Sequence, residues 1–337
     1  MKKKGIGFAS AWQGSNYHFG HPDEANVHLE ITNDLRCRIG IAVADMGQGI
    51  PETLATIVSS ELGGFPLERI DFLDPDTSVT PDGGATGASR LTAMAGNAVA
   101  RASKHLAHIM KSAAAELLDT SPADVKIAES TFYGWEGAKA TFQEVFDECK
   151  NSGIQLSTSV HFEGPPTEDL DEWGQGFGVN DFGYATYVVE VEVDIETGEV
   201  QVLSVRAFVD AGKMIRPMGA EMQVEGGIAM GLGHALTEDL ILRDGWPETN
   251  NLSTYLIPSV RDVPRIVETQ FIDKAAPTTE LGAKGMAELA LVPIAPAIIN
   301  AIHDAVGVRI TQLPATPERV LAALDARSPD NGGEAHG

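Results

Sequence analysis

In residues 282–307, GAKGMAELALVPIAPAIINAIHDAVG, the carboxylate of Glu288 stands between small and apolar neighbours ahead of a long hydrophobic run. A carboxylate placed there either caps or solvates the following helix, or acts as a general base whose hold on a proton is raised by apolar flanks. Met286, Ala287 and Leu289 supply such flanks. Lys284, four residues earlier, is suited to pairing with a carboxylate or a carbonyl. Two more stretches combine glycine with donor side chains, DMGQG at 45–49 and DGGATGASRLT at 82–92. Glycine lets backbone approach a ligand and frees N–H groups to face anions or carbonyls, although it is also the ordinary turn residue. Ser89-Arg90 precedes a helical pattern, where hydroxyl, guanidinium and helix N-terminus suit a phosphate; the plainer alternative makes Ser89 an N-cap.

SAWQGSNYHF, 10–19, follows a strand pattern and offers Trp12, Gln13 and Tyr17, side chains able to stack on and hydrogen-bond a flat heterocycle. The alternative is an exposed loop with one packed aromatic. Metal ligation directly from protein side chains is not expected. Cys37 and Cys149 lie far apart without neighbouring ligands, and the nine histidines show neither HxH nor HExxH spacing. Two cysteines are also too few for an iron–sulfur cluster, which takes four protein ligands as a rule.

These stretches need a scaffold, and its pattern is legible. Residues 26–46 alternate apolar and polar around Asn33-Asp34, a β-hairpin, and the glycine turn at 47–49 leads into a helical pattern over 51–63. The unit returns as a hairpin over 184–210, turned at Glu196-Thr197-Gly198, followed by a helix over 217–236. Between them, 96–118 reads as a long amphipathic helix with Val99, Leu106, Ile109 and Met110 on its apolar face. An α+β fold of two hairpin-plus-helix lobes follows: 1–150, then an irregular Gly-, Pro- and acid-rich connection at 151–182, then 183–325, with a disordered tail at 326–337.

Composition narrows function. With 43% hydrophobic residues among 337 the chain buries a sizeable core. Its 24 Lys+Arg against 48 Asp+Glu, a net charge of -24, excludes nucleic acid as a partner, because phosphate backbones require clustered cations. Absent a signal-peptide pattern or a membrane-length apolar run, a cytoplasmic protein without a membrane partner is expected. No dinucleotide or P-loop signature supports an independent nucleotide-binding protein.

Taken in order, DMGQGIPETLATIVSSELG, PDGGATGASRLTAMAGNAV, YVVEVEVDIETGEVQVLSVRAFVDAGKMIRPMGAEMQVEGGIAMGLG and GAKGMAELALVPIAPAIINAIHDAVGVRITQLPATPERV resemble the C-terminal half of the molybdenum-binding subunit of the xanthine dehydrogenase/aldehyde oxidase family. The resemblance implies a molybdenum–pyranopterin cofactor, in its cytosine dinucleotide form. Gly47, Gln48 and Gly49 match the family's GQG turn, whose glutamine contacts the pterin. Thr86, Gly87, Ala88, Ser89, Arg90 and Leu91 match a segment lying along the cofactor beneath the metal, and Gln223 matches the glutamine that approaches from the QxEGG helix. Lys284, Gly285, Met286 and Ala287 lead to Glu288, which matches the base beside molybdenum. The chain departs from the family's GxGE-Pro pattern at Ala287 and Leu289, where a methyl group narrows the space near the metal.

The family's subunit is longer than this chain, and the absent N-terminal half is expected on a second molybdopterin-binding chain, as in the split subunits of nicotinate dehydrogenase. Electrons must then leave through [2Fe–2S] and FAD centres on an iron–sulfur subunit and an FAD subunit. The implied activity is hydroxylation of a small heteroaromatic, nicotinate-like substrate; a purine, an aldehyde, or a non-catalytic structural role are the alternatives.

Overall fold

The computed structural model describes residues 1–327. In chain order the first part contains β1 (Lys2–Ser15), β2 (Glu24–Ile31), β3 (Cys37–Gly40), α1 (Ile50–Glu61), β4 (Ile70–Phe72) and α2 (Leu91–Leu117). Next come β5 (Lys126–Ala128), β6 (Thr131–Tyr133), β7 (Lys139–Thr141), α3 (Phe142–Asn151) and β8 (Ser157–Glu163). The remainder is β9 (Asp181–Asp194), β10 (Val200–Asp210), α4 (Pro217–Leu236), β11 (Leu242–Arg243), β12 (Trp246–Pro247), β13 (Ile266–Phe271), α5 (Ile294–Val306) and α6 (Pro317–Arg327).

Both expected hairpins form, each because alternation gives a strand pair one apolar face. In β9, Val189, Val191 and Val193 are buried while Glu190 and Glu192 between them face outward, and Gly198 takes the left-handed conformation that the turn into β10 requires. One four-stranded sheet has the order β4-β3-β2-β8 and is covered by α2 and α1, with α3 packed on α2. Val99, Leu106 and Met110 of α2 are buried in its core, with Ile109 at the margin. The other sheet, β1-β9-β10-β13, carries α4 and α5 on one face. Helix α5 lies almost on the backbone of β1: a Cβ at Gly7 would stand 2.2 Å from Ala301 N, and one at Gly5 would stand 2.3 Å from Ala301 O.

Strand pairing crosses the boundaries drawn at 150 and 183. β1 pairs with β9 over its whole length, Lys2 to Asp194 through Ser15 to Asp181, so the first strand completes the second lobe's sheet. Its odd positions, Gly5, Gly7, Ala9 and Ala11, are the small residues that admit α5, whereas strand pairing at such separation leaves no local sequence signal. β8, inside the supposed irregular connection, supplies the far edge of the first sheet by pairing with β2. At the C-terminus α6 continues through Ala326 and Arg327, where the tail was expected to begin; residues 328–337 lie outside the described residues.

Cys37 and Cys149 are both fully buried and free. Burial pushes the Cys37 thiol up to about 12 from an ordinary 9.0, with Asp71 and Glu30 adding to the effect, and Cys149 up to about 11. Both folded values are raised, so the fold favours the neutral thiols. That contribution is complete below pH 9.0 and is lost as pH rises toward about 11 and then about 12. Iodoacetamide at pH 8 is expected to leave both cysteines unlabelled in the native protein and to label both in urea, read by intact mass; native labelling at the rate of a free thiol would contradict this.

Candidate active site at Glu288

The loop that carries Glu288 is fixed from three sides. Past the end of β10, Gly212 bridges Ala283, Lys284 N–H donates to Ala211 O at 2.9 Å, and Lys213 N–H donates to Gly282 O at 2.8 Å. From the first lobe, Leu281 N–H donates to Oδ1 of the buried Asn97 on α2 at 3.0 Å. Just ahead of α2, Ser89 Oγ accepts from Glu288 N–H at 3.3 Å. The two turns approach so closely that a Cβ at Gly285 would stand 2.0 Å from Ser89 O, and only glycine fits there. Glu288 therefore sits where the lobes meet. Its Oε2 is buried and has no hydrogen-bond partner among the described residues. A carboxylate oxygen accepts strongly, so leaving it bare costs free energy unless a ligand or a proton meets it. Ala287 is exposed, while Leu289 is buried against Gly183, so the added methyl at 287 meets no crowding within this chain.

The segment 86–91 lies beside this loop, but its side chains divide into different roles. Thr86 Oγ1 accepts from Ala44 N–H at 2.9 Å, tying the segment to the stretch between β3 and the GQG turn. A Cβ at Gly87 would meet nothing within 4 Å, so backbone is open there. Ala88 and Ser89 both adopt left-handed backbone, φ 53° and 49°, a strained arrangement held by the surrounding contacts. Ser89 is not the N-cap; Arg90 occupies that position, and no side chain caps the helix. Leu91 is core.

Arg90 overturns the phosphate expectation. Its side chain is fully buried: Nε donates to Asp23 Oδ1 at 2.6 Å, and Nη1 donates to Gly83 O and Ala85 O at 3.0 Å each. Nη2 donates to Glu24 O, and the guanidinium lies 5.0 Å from the Tyr17 ring centroid. Four of its five N–H donors are taken by protein and the side chain is buried, so Arg90 braces the turn and is out of reach of an outside anion. Lys284 is likewise committed. Its Nζ donates to Phe182 O and to Asp210 Oδ2, both at 3.1 Å, with Asp181 Oδ1 at 3.9 Å and the Tyr184 ring nearby. The pairing reading of Lys284 describes the structure, and its ammonium does not reach into open space.

Gln48 and Gln223 come together in a cleft that Met286, Lys284, Arg216 and Lys213 also line. Gln48 turns its amide back on its own loop, with Nε2 donating to Ala44 O at 2.9 Å and Oε1 accepting from Met46 N–H at 2.6 Å. Asp45 Oδ1 accepts from Gly47 and Gly49 N–H, so the GQG turn is pre-formed. Arg216 was not singled out in the sequence. It makes no ion pair among the described residues, and its Nη1 lies 3.0 Å from where a Gly49 Cβ would stand. No local pattern marks it; only the fold brings it to the turn.

The three aromatic-loop candidates are separated by strand alternation. Gly5 and Gly7 face α5, so Gln13 and Ser15 continue that inner face, while Trp12, 69% exposed, lies on the opposite side of the sheet from Glu288. Tyr17 packs beneath Arg90. Asn16 was missed as well: it lies just past the end of β1 with a left-handed φ of 74°, and no local pattern marks it. Its N–H donates to Ala88 O at 2.9 Å, joining this loop to the strained turn. Among the described residues no group of three or more His, Cys, Asp or Glu converges as metal ligands, and no helix is long and apolar enough to cross a membrane.

A family model described as molybdopterin cofactor-binding domain matches residues 1–264. Over 331 residues the chain is 32% identical to a probable xanthine dehydrogenase subunit of Bacillus subtilis, covering 96% of this chain and 42% of that protein. It is 30% identical over 305 residues to the gamma subunit of the 6-hydroxypseudooxynicotine dehydrogenase complex of Paenarthrobacter nicotinovorans, covering 87% and 37%. The solved aldehyde oxidoreductase of Desulfovibrio gigas superposes with a TM-score of 0.80 at 28% identity, covering 96% of this chain and 33% of that one. The chain thus spans less than half the length of each of these relatives.

Proposed function

The chain belongs to the molybdopterin cofactor-binding family of the molybdenum hydroxylases, and on that premise we propose that it is the subunit carrying the general base of such an enzyme. The reaction is hydroxylation of an electron-poor carbon in an N-heteroaromatic, nicotinate-like ring. A C–H bond breaks, a C–O bond forms with oxygen from water, and two electrons leave through [2Fe–2S] and FAD centres on partner subunits. A second molybdopterin-binding chain completes the cofactor site.

The bare, buried Oε2 of Glu288 carries this reading. Other residues of the chain suit the group. The cleft at Gln48 and Gln223 offers amides and the unpaired Arg216 and Lys213, and Gly47 and Gly87 leave space within 4 Å where side chains would stand. Gln223, Arg216 and the GQG turn would hold the cofactor, a pyranopterin in cytosine dinucleotide form. When bound, the group supplies the water-derived oxygen and accepts the two electrons. Glu288 takes the proton that the oxygen must lose. Ser89 Oγ on the Glu288 N–H and the close seat of Gly285 hold that carboxylate in place. Leu289 and Met286 shield it from bulk water, since Leu289 is buried and Met286 packs on the second core.

The test is elemental mass spectrometry on the native complex captured through this chain. About one molybdenum per copy is expected, together with a second large chain and iron and flavin in the same preparation. A stable complex that lacks molybdenum would remove the cofactor and the base together.

A further inference from the structure

Helix α4 is apolar on both faces. Its inner face, with Val224, Ile228, Leu232 and Ala235, is buried in the second core. On the outward side Met218, Met222, Gly226, Met230 and His234 recur at four-residue intervals and all are exposed, the three methionines at 69%, 58% and 62%. A surface helix ordinarily turns one apolar stripe to the core and polar residues to water, whereas a helix apolar all round is covered on every side. Glycine sharpens the contrast. Inside a helix it destabilises relative to alanine unless a neighbour needs the room. Gly227 and Gly231 meet that condition on the inner face, where a Cβ would stand 2.7 Å from Ala290 and 1.5 Å from Ile294 Cγ2. A Cβ at Gly226 would meet nothing within 4 Å, so what needs that room is not among the described residues. Residues 328–337, SPDNGGEAHG, contain no large apolar side chain with which to cover three methionines.

The stripe is continuous with two other features. At its start Arg216, Gly219, Ala220 and Gln223 line the cleft proposed for the cofactor, whose walls do not include Met222, Gly226 or Met230. At its end His234 borders an open groove of about 440 Å³ with Val292, Pro296, Ile299 and Leu313. Glu221 and Glu225, also exposed, follow one flank of the stripe and make no ion pair among the described residues. In the matched relatives more than half of the protein lies outside the stretch aligned with this chain, so they carry further polypeptide able to cover such a face. We infer that Met218, Met222, Gly226 and Met230 seat a helix of the second molybdopterin-binding chain, an apolar helix with basic residues along the flank that faces Glu221 and Glu225. Side chains at four-residue intervals form the ridge that packs into another helix's groove, and Gly226, midway, is where the two backbones come closest. The ridge runs for about 18 Å, enough for about three turns of the partner. Unbranched methionine adapts its shape to the surface it meets. The inference rests on the reading that a second chain completes the cofactor site.

A photo-crosslinking residue, p-benzoylphenylalanine, in place of Met222 or Met230 is introduced into the native complex captured through this chain. It is expected to join this chain to the second molybdopterin-binding chain, identified by peptide mass spectrometry. Cross-links to the iron–sulfur subunit, the FAD subunit or a second copy of this chain alone, or no cross-link, would overturn the assignment. Gly226→Leu is expected to act in opposite directions on the chain and on the complex. The full-length chain by itself keeps or raises its urea midpoint, because leucine favours helix and meets nothing within the chain. Recovery of the second chain falls at least about tenfold, because extra volume in a packed contact is poorly tolerated. A leucine variant that keeps the second chain at the parent ratio, or that loses molybdenum while keeping it, counts against the seat. Glu221→Lys combined with Glu225→Lys is expected to lower recovery about threefold or more at low ionic strength and less in high salt; an unchanged ratio at low salt removes the basic flank from the partner. Molybdenum in the same sample separates the two readings. Metal present with the cross-link elsewhere defeats this surface alone, and metal absent with the cross-link formed defeats the hydroxylase reading alone.

Discussion

Glu288→Gln is expected to retain the cofactor and to lose turnover by roughly 10²–10⁴-fold, the range associated with removal of a general base. Glutamine fills the same volume and its amide still hydrogen-bonds, so the loop stitched to Ala211, Asn97 and Ser89 has no reason to move. What is lost is the ability to accept a proton. The measurement is the initial rate per molybdenum, with metal content determined on the same sample. A molybdenum-replete glutamine variant with the parent rate would remove Glu288 from the chemistry and return it to helix solvation. A variant that loses both metal and rate would place the residue in cofactor retention instead.

The second large effect is on stability. Arg90→Met leaves the Asp23 carboxylate, 3% exposed, without its cation and strands the Gly83, Ala85 and Glu24 carbonyls. Breaking a buried pair from one side costs about 3–5 kcal/mol, because the surviving charge remains desolvated. The loss is read as a drop in the urea midpoint at unchanged slope. Removing both partners, Arg90→Met with Asp23→Leu, is expected to recover much of it, since an apolar pair of similar volume in a buried site is often close to neutral. A single variant within about 1 kcal/mol of the parent would show that the pair is not what holds the turn. Activity should fall alongside stability, because Arg90 also braces the left-handed Ala88-Ser89 turn that receives Glu288 N–H.

These two residues also mark how far the sequence could be read. Glu288 could be singled out because its apolar flanks and the ordered motifs around it are local. The hairpins and α1, α2 and α4 were legible for the same reason: alternation, helical spacing and glycine stops act within a few residues. Arg90 was misdirected. Its place before a helix is a local fact, but its partner Asp23 lies 67 residues away, and the sequence does not state that pairing. Trp12 and Gln13 could have been told apart, since the small residues at 5, 7, 9 and 11 already declared which face of the strand is covered. Arg216 and Lys213 reach the cleft only because α4 begins beside the GQG turn, a juxtaposition that no spacing encodes.

The pairing of β1 with β9 has a consequence for how the molecule is made. Between Ser15 and Asp181 lie 165 residues, and they include every strand of the first sheet, so one lobe is inserted within the sheet of the other. At about 5–20 residues per second, β1 leaves the ribosome roughly 8–33 s before its partner exists. Through that interval its backbone has no ladder, and Ile6, Phe8 and Trp12, exposed even in the finished sheet, stand on a strand with two open edges. The inserted lobe has all its own strands by Glu163 and is free to close first. The strand of this pair made first thus docks late, and the lobe containing Glu288 depends for its completion on a segment that must remain unaggregated until the inserted domain has folded.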